Sequence, residues 1–296
     1  MQKIIFWLKA ARFYTMPMTI MSWLVVFVWA TADGGNIWLG LLTLLGILLA
    51  HLGTNLLDDY LDYQKDLKNV QNLKEKCWYI KSGEATLKQT LAVVCVYFGL
   101  AALIGLFLTI KVGIGVAIIA ALAGILCLFY SPCTYIGLGE VLVGLLFAPF
   151  LYLGTYYVMT HGYSKELMLV SISTGILVIA VLSTHMLVDF DNDKEDNKIT
   201  LCRLARTKPR ALRFLTKFIA LAYLNIAFLV SKGLLNYHFL IVFLSLPIFI
   251  KLYKLMKIHA YDLEKHPDES YFRTRIETSI QLMAVFSVLI CLAKVL

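Results

Sequence analysis

Residues 37–66 read IWLGLLTLLGILLAHLGTNLLDDYLDYQKD. As far as Leu57 the stretch is apolar and long enough for a membrane-crossing helix, which needs roughly 17–25 mostly apolar residues. It then ends in carboxylates: Asp58, Asp59, Asp62 and Asp66. If the helix continues, the spacing of four stacks Asp58, Asp62 and Asp66 on one face. Like charges at that spacing repel, so the cluster is either a solvated helix end or a seat for something cationic. No His or Cys lies within it, and carboxylate oxygens suit a hard ion, which favours Mg²⁺.

A second segment repeats the pattern. The apolar run from about Leu167 to Val188 closes on Asp189-Phe190-Asp191-Asn192-Asp193-Lys194-Glu195-Asp196-Asn197-Lys198. Asp189 and Asp193 are again four apart, with Lys194 and Lys198 beside them. Mg²⁺ usually combines a few carboxylates with substrate phosphates. Two acidic clusters at the ends of two apolar spans therefore describe a site for a Mg²⁺-bridged diphosphate, with lysines taking the remaining phosphate charge.

The composition sets the class. The chain is 60% hydrophobic and only 16% charged over 296 residues, with a mean hydropathy of +0.77, whereas soluble domains run to about 45–50% apolar and about 25% charged. The expected fold is all-α: a polytopic membrane protein of nine transmembrane helices bundled around a lipid-accessible cavity. The spans fall at about 16–31, 36–57, 90–110, 113–130, 138–160, 167–188, 212–231, 236–256 and 277–296. The longest polar connections, about 58–89, 189–211 and 257–276, are too short for a soluble domain, so residues 1–296 form one integral membrane unit. The start, MQKIIFWLKAARFY, reads as a basic interfacial helix rather than a secretory signal. Six cysteines without C-x-x-C spacing argue against a disulfide framework or a zinc site. Asn225 and Ser183 are expected as interhelical hydrogen-bonders. Glu140 near a helix start is favoured by the helix dipole.

The net charge of +8 does not imply nucleic acid, because the basic residues are spread among short connections rather than gathered on one face. On the nine-span map, 23 of the 27 lysines and arginines lie on one side, and only Lys111, Lys165, Lys232 and Lys294 on the other. The positive-inside rule then places the N-terminus and both aspartate clusters in the cytoplasm and the C-terminus outside the cell membrane.

With these residues in view the chain resembles a known family. Asp58-Asp59-Tyr60-Leu61-Asp62-x-x-x-Asp66, paired with Asp189-x-x-x-Asp193, is similar to the two aspartate-rich motifs of the UbiA-type intramembrane prenyltransferases. Further stretches resemble the branch that prenylates 1,4-dihydroxy-2-naphthoate in menaquinone synthesis. They are Ala11-Arg12 with Thr15 and Pro17, Asn55-Leu56, Lys81-Ser82-Gly83, Gly137 to Val141, Gly154 to Val158, and Lys198 to Leu201. The chain departs from that branch at Asp58, where the branch has Asn. It departs again at His185-Met186-Leu187-Val188, which replaces an Asn-Asn-x-Arg run.

The resemblance implies that a polyprenyl diphosphate binds through Mg²⁺ held by Asp58, Asp62, Asp66, Asp189 and Asp193. Asn55 and Asp59 support from behind or through water, and Lys65, Lys194, Lys198 and Arg203 take phosphate charge. Asp62 and Asp189 would carry catalysis, with an aromatic acceptor alkylated nearby. His185, one helical turn before Asp189, either serves that acceptor or packs as a hydrogen-bonded histidine. Two rivals are a sister enzyme using another quinone ring, a glycerol phosphate lipid or a haem, and a cation-binding transporter. A transporter places ionisable groups near the bilayer midplane, where these spans offer only histidine. The charge division is testable by cysteine labelling in intact cells. Cysteines replacing Lys74 and Asp196 should react only from the cytoplasmic side, and one replacing Gly35 only from outside. Labelling of positions 74 and 196 from opposite sides contradicts the map.

Overall fold

The computed structural model describes residues 2–65, 77–195, 198–261 and 269–296. Asp66 and positions 74 and 196 lie outside the described residues, as does the side chain of Lys65. Within them the regular structure is all helical: α1 (Gln2–Ala10), α2 (Met16–Ala32), α3 (Ile37–Lys65), α4 (Trp78–Lys81), α5 (Leu87–Val112), α6 (Ile114–Cys133), α7 (Gly139–Leu145), α8 (Leu151–Thr160), α9 (Lys165–Val188), α10 (Phe190–Glu195), α11 (Leu201–Leu204), α12 (Lys208–Ser231), α13 (Leu246–Ala260), led into by a 3₁₀ stretch at Tyr237–Ser245, and α14 (Glu269–Val295). Among the described residues, nine helical stretches are long and apolar enough to cross a membrane, and they coincide with the nine expected spans.

Local chemistry sets their ends. Thr86 and Gln89 form a reciprocal capping box at the start of α5. Ser164 caps α9 and Thr207 caps α12, each accepting from a backbone N–H in the first turn. Gly113, at φ 131°, turns the chain from α5 into α6 within one residue. The fifth span runs through α7 and α8, joined by a π turn at Leu146–Phe150 that contains Pro149. Proline cannot donate to the helix ladder, and the wider turn absorbs that defect.

Helix α9 is the axis of the bundle. Of its apolar window 72% is buried, against 11% for α5 and for α6, which present Leu103, Ile110, Ile118 and Leu122 outward to lipid. Polar side chains tie the neighbours to it. Asn225 of α12 donates to the Leu169 carbonyl (3.0 Å) and to Ser173 Oγ (2.9 Å), as expected. The Ser183 hydroxyl, by contrast, finds no partner among the described residues, and it is the Ser183 carbonyl that accepts from Cys202 Sγ at 3.3 Å. At the end of the bundle away from the aspartates, Asp33 accepts from the Tyr156 hydroxyl (3.0 Å) and pairs with Lys294 (2.9 Å), joining α2, α8 and α14.

Two helices outrun the expected spans. Helix α3 continues to Lys65, and its 29 residues reach about 44 Å, well beyond a hydrocarbon core of roughly 30 Å. Helix α14 already begins at Glu269, so Arg275 lies on a packed helix and is buried, not in a solvated connection. The close approach of α7 to α9 rests on paired glycines. A Cβ added at Gly175 would stand 3.1 Å from Ala148 Cβ and 3.2 Å from the Gly144 carbonyl oxygen. Gly175→Val should therefore cost about 1–3 kcal/mol and lower the thermal unfolding midpoint in detergent. An unchanged midpoint contradicts this packing.

Candidate diphosphate site

The end of α3 carries three carboxylates that the fold has almost removed from solvent: Asp58 at 3%, Asp59 at 1% and Asp62 at 1% exposure. Burying an ionised carboxylate is costly unless charge and hydrogen bonds compensate it. Arg12, in the left-handed turn (φ 56°) between α1 and α2, does so for two of them. Its Nη2 donates to Asp59 Oδ1 (2.5 Å), Asp58 Oδ2 (3.1 Å) and the Asn55 carbonyl (2.9 Å). Burial works against the Arg12 charge, but Asp59 and Asp58 more than offset it, and the guanidinium titrates far above its ordinary value. Asp59 also accepts from the Cys77 N–H through Oδ2 at 3.3 Å. Asn55 donates to the Ala11 carbonyl (2.9 Å) and to Thr15 Oγ1 (3.2 Å). Asn55 and Asp59, expected to support the ligands from behind or through water, are both tied to the turn between α1 and α2.

The third carboxylate meets the second motif. Lys198 Nζ lies 3.2 Å from Asp62 Oδ2, across 136 positions of sequence. The segment that delivers Lys198 is held from several directions. Its backbone N–H donates to the Asp193 carbonyl (2.9 Å), the Ile199 N–H to the Thr134 carbonyl (3.2 Å), and the Leu201 N–H to Glu140 Oε1 (3.0 Å). Arg203 Nη1 donates to the carbonyls of Asp193 (2.7 Å) and Lys198. Arg203, expected to take phosphate charge, is therefore seen as a clamp on the backbone of this turn. Lys198 also lies 5.9 Å from the centre of the Tyr135 ring, whereas Lys194 is exposed.

Helix α9 stops before the second motif. Asp189 is its C-cap residue, with ψ near 10°, and α10 restarts at Phe190. The Asp193 N–H still donates to the Asp189 carbonyl (2.7 Å), so the spacing of four survives as one turn. The two carboxylates nonetheless differ: Asp193 is buried and Asp189 exposed. His185 sits half-buried in the last turn of α9, next to Thr184, whose carbonyl accepts from the buried Arg275 of α14. Cys202 keeps its thiol proton, because burial raises its pKa and the charges of Glu140 and Asp193 raise it further.

Arg12, Glu140 and Arg275 are the residues at this end that sequence reasoning missed as participants. The available signal was a charged side chain at the margin of an apolar span, which is seldom idle in a membrane protein. A cavity of about 420 Å³, lined by Trp29, Asp33, Tyr163 and Lys294 among others, opens at the other end of the bundle, away from the aspartates.

Among the described residues no three His, Cys, Asp or Glu side chains converge as a ready-made metal cage. Mg²⁺ does not require one, since it usually takes one or two carboxylates together with waters and substrate phosphates. The carboxylates of both motifs offer only oxygens, and Lys198 of the second segment reaches Asp62 of the first. The residues present fit a Mg²⁺–diphosphate.

The model of the UbiA prenyltransferase family matches residues 18–272. The chain belongs to that family. Among curated relatives, the 1,4-dihydroxy-2-naphthoate octaprenyltransferase of Haemophilus influenzae is 29% identical over 270 residues, covering 84% of this chain and 85% of its own. The proteins of the same name from Bacillus subtilis and Escherichia coli are 25% and 27% identical, covering 69% and 74% of this chain and 66% and 76% of their own. A digeranylgeranylglyceryl phosphate synthase structure superposes over 100% of this chain and 99% of its own, with a TM-score of 0.67 at 15% identity. A UbiA homologue from Archaeoglobus fulgidus, bound to DMAPP and Mg²⁺, covers 96% of this chain and 98% of its own, with a TM-score of 0.58 at 12% identity. The expected family and its nine-span fold are thereby shown, and this UbiA-family chain is a membrane prenyltransferase.

The clamp on the second motif yields a test. Arg203→Met should speed amide hydrogen exchange across residues 190–204, with Arg203→Lys intermediate. Unchanged exchange in Arg203→Met contradicts the clamp.

Proposed function

We propose that this UbiA-family enzyme transfers a polyprenyl group from its diphosphate to an aromatic acceptor, 1,4-dihydroxy-2-naphthoate, with Mg²⁺. The observation that carries the reading is the Lys198–Asp62 contact, which unites two acidic motifs at one end of the bundle. Three relatives named for that reaction support the acceptor, and the A. fulgidus homologue bound to DMAPP and Mg²⁺ supports the donor and the metal. Both motifs face the cytoplasm in this reading, with the C-terminus on the opposite side, because the basic residues crowd that face.

Asp58, Asp62, Asp189 and Asp193 would hold the metal, joined by Asp66 beyond the described residues. When bound, Mg²⁺ supplies neutralisation of the diphosphate and Lewis-acid help to its departure. The chain's own groups do the rest. Lys198, already at Asp62, and the exposed Lys194 of α10 would meet the phosphate charge left over, and Lys65 stands at the end of the same helix as Asp62. Arg203 serves indirectly, by fixing the turn that aims Lys198. As the prenyl C1–O bond breaks, the electron pair leaves with the diphosphate. A C–C bond then forms to an electron-rich ring carbon, and the ring regains aromaticity by releasing the group it carried there. The apolar spans keep water from the allylic cation.

On the acceptor side the candidate is His185, in the last turn of α9 before Asp189. A second reading, an acceptor other than the naphthoate, is favoured by the His185-Met186-Leu187-Val188 departure. Purified enzyme with a labelled polyprenyl diphosphate and a panel of acceptors decides between them. Transfer to the naphthoate should require Mg²⁺, stop with a chelator, and be lost in Asp62→Ala and Asp189→Ala. Activity of both variants without divalent metal overturns the reading. If His185 serves the acceptor, His185→Ala should reduce transfer by about 10²–10⁴-fold while diphosphate binding changes little. Near-normal turnover in His185→Ala and His185→Asn removes it from the site.

A further inference from the structure

Asp58, Asp59 and Asp62 are each met by a cation of the chain, and the two cations are held very differently. Arg12 is fixed. Its backbone stands in the left-handed region, which a residue with a side chain keeps only where its surroundings enforce it. Thr15 Oγ1 donates to the Arg12 carbonyl (2.8 Å), accepts from Asn55 Nδ2 (3.2 Å) and lies 3.3 Å from His51 Nε2, one turn before Asn55 on α3. The guanidinium then closes on Asp58, Asp59 and the Asn55 carbonyl. Lys198 is clamped only at its backbone, by Asp193 and Arg203. Its ammonium rides on a flexible four-carbon stem and meets Asp62 Oδ2 at 3.2 Å, with the Lys198 side chain 13% exposed where that of Asp62 is 2%. The Tyr135 ring, 5.9 Å away, offers the same ammonium a second face to rest on.

The difference decides which charge can give way. A divalent ion held by Asp62 shares that carboxylate with the Lys198 ammonium, and at an effective dielectric of about 20 like charges a few ångströms apart repel strongly. Lys198 therefore opposes a metal that comes alone. A diphosphate reverses the balance, because its oxygens attract the ammonium away from Asp62 and its charge offsets the metal's. We infer that Lys198 guards Asp62 against free divalent cation and yields it only to metal that arrives with diphosphate, so that the chain takes up Mg²⁺ and the prenyl diphosphate as one complex. Arg12, pinned as it is, keeps Asp58 and Asp59 compensated throughout. The inference rests on the diphosphate reading above and deepens it, naming the form in which the substrate is bound and a role for Lys198 before the phosphates arrive.

The test is equilibrium binding of Mn²⁺ to the detergent-solubilised full chain, read by electron paramagnetic resonance, with and without an unreactive prenyl thiolodiphosphate. The wild-type chain should bind Mn²⁺ at least about 10-fold more tightly with the analogue than alone. Lys198→Met should bind Mn²⁺ alone about 10-fold or more tightly than wild type, yet bind the analogue more weakly at saturating Mn²⁺. These opposite effects separate a guard from a residue that only holds phosphate. Lys198→Arg keeps the charge and should bind Mn²⁺ alone as weakly as wild type. Unchanged or weaker binding of Mn²⁺ alone in Lys198→Met overturns the inference, as does tightening in Lys198→Arg equal to that in Lys198→Met, which would make space and not charge the cause. Should Lys198→Met not fold, the wild-type chain still decides, since equal Mn²⁺ affinity with and without the analogue overturns the guard. In each of these failures the analogue can still require Mn²⁺, and the diphosphate reading stands. A wild-type chain that binds the analogue undiminished in chelator overturns that reading itself, and this inference with it.

Discussion

Carboxylates buried at the mouth of an apolar bundle must be compensated, and much of this end of the molecule is arranged around that need. Asp58, Asp59 and Asp62 are nearly sealed from water, where an unpaired charge would be prohibitively costly. Arg12 reaches them from one side and Lys198 from the other. To bring Arg12 there, the α1–α2 turn adopts a left-handed residue. To bring Lys198, the segment after α10 is tied down by Arg203, Glu140 and the Thr134 carbonyl. Local strain and loop order at this end thus follow from the same electrostatic demand.

The rest of the bundle holds the two motifs at a fixed separation. Helix α9 lies at the centre and ends at the second motif, and α3 extends beyond the expected hydrocarbon thickness to present the first. Glycines at 144 and 175 and the π turn at Pro149 let the fifth span lie against α9 and set Phe147 beside His51. Asp33, Tyr156 and Lys294 fasten the opposite end. An apolar bundle immersed in lipid gains little from hydrophobic contact between helices, so close packing and interhelical hydrogen bonds such as those of Asn225 carry more of the burden.

The spans were legible in the sequence because the bilayer imposes a length and an apolar character that few other environments demand. The boundaries slipped where helices outrun the bilayer, at Lys65 of α3 and at Glu269 of α14, since beyond the hydrocarbon no such ruler applies. The acidic motifs were legible by spacing. Their meeting through Lys198 and Asp62 was not, because residues 136 positions apart leave no periodic trace. Arg12 was hidden for the same reason: it stood in a recognisable stretch, but its partners lie 46 and 47 positions away. Arg203 was expected to take phosphate charge, and its bonds to the carbonyls of Asp193 and Lys198 are set by a turn that no charge pattern announces.

The central claim is that both motifs serve one metal–diphosphate. It is tested most directly by locating Mn²⁺ through anomalous scattering in crystals grown with an unreactive prenyl diphosphate analogue. The account predicts Mn²⁺ and the diphosphate between Asp62 and the carboxylates that follow α9, with Lys198 moved from Asp62 toward phosphate oxygen. Mn²⁺ bound by one motif alone, or a diphosphate lodged away from both, contradicts it.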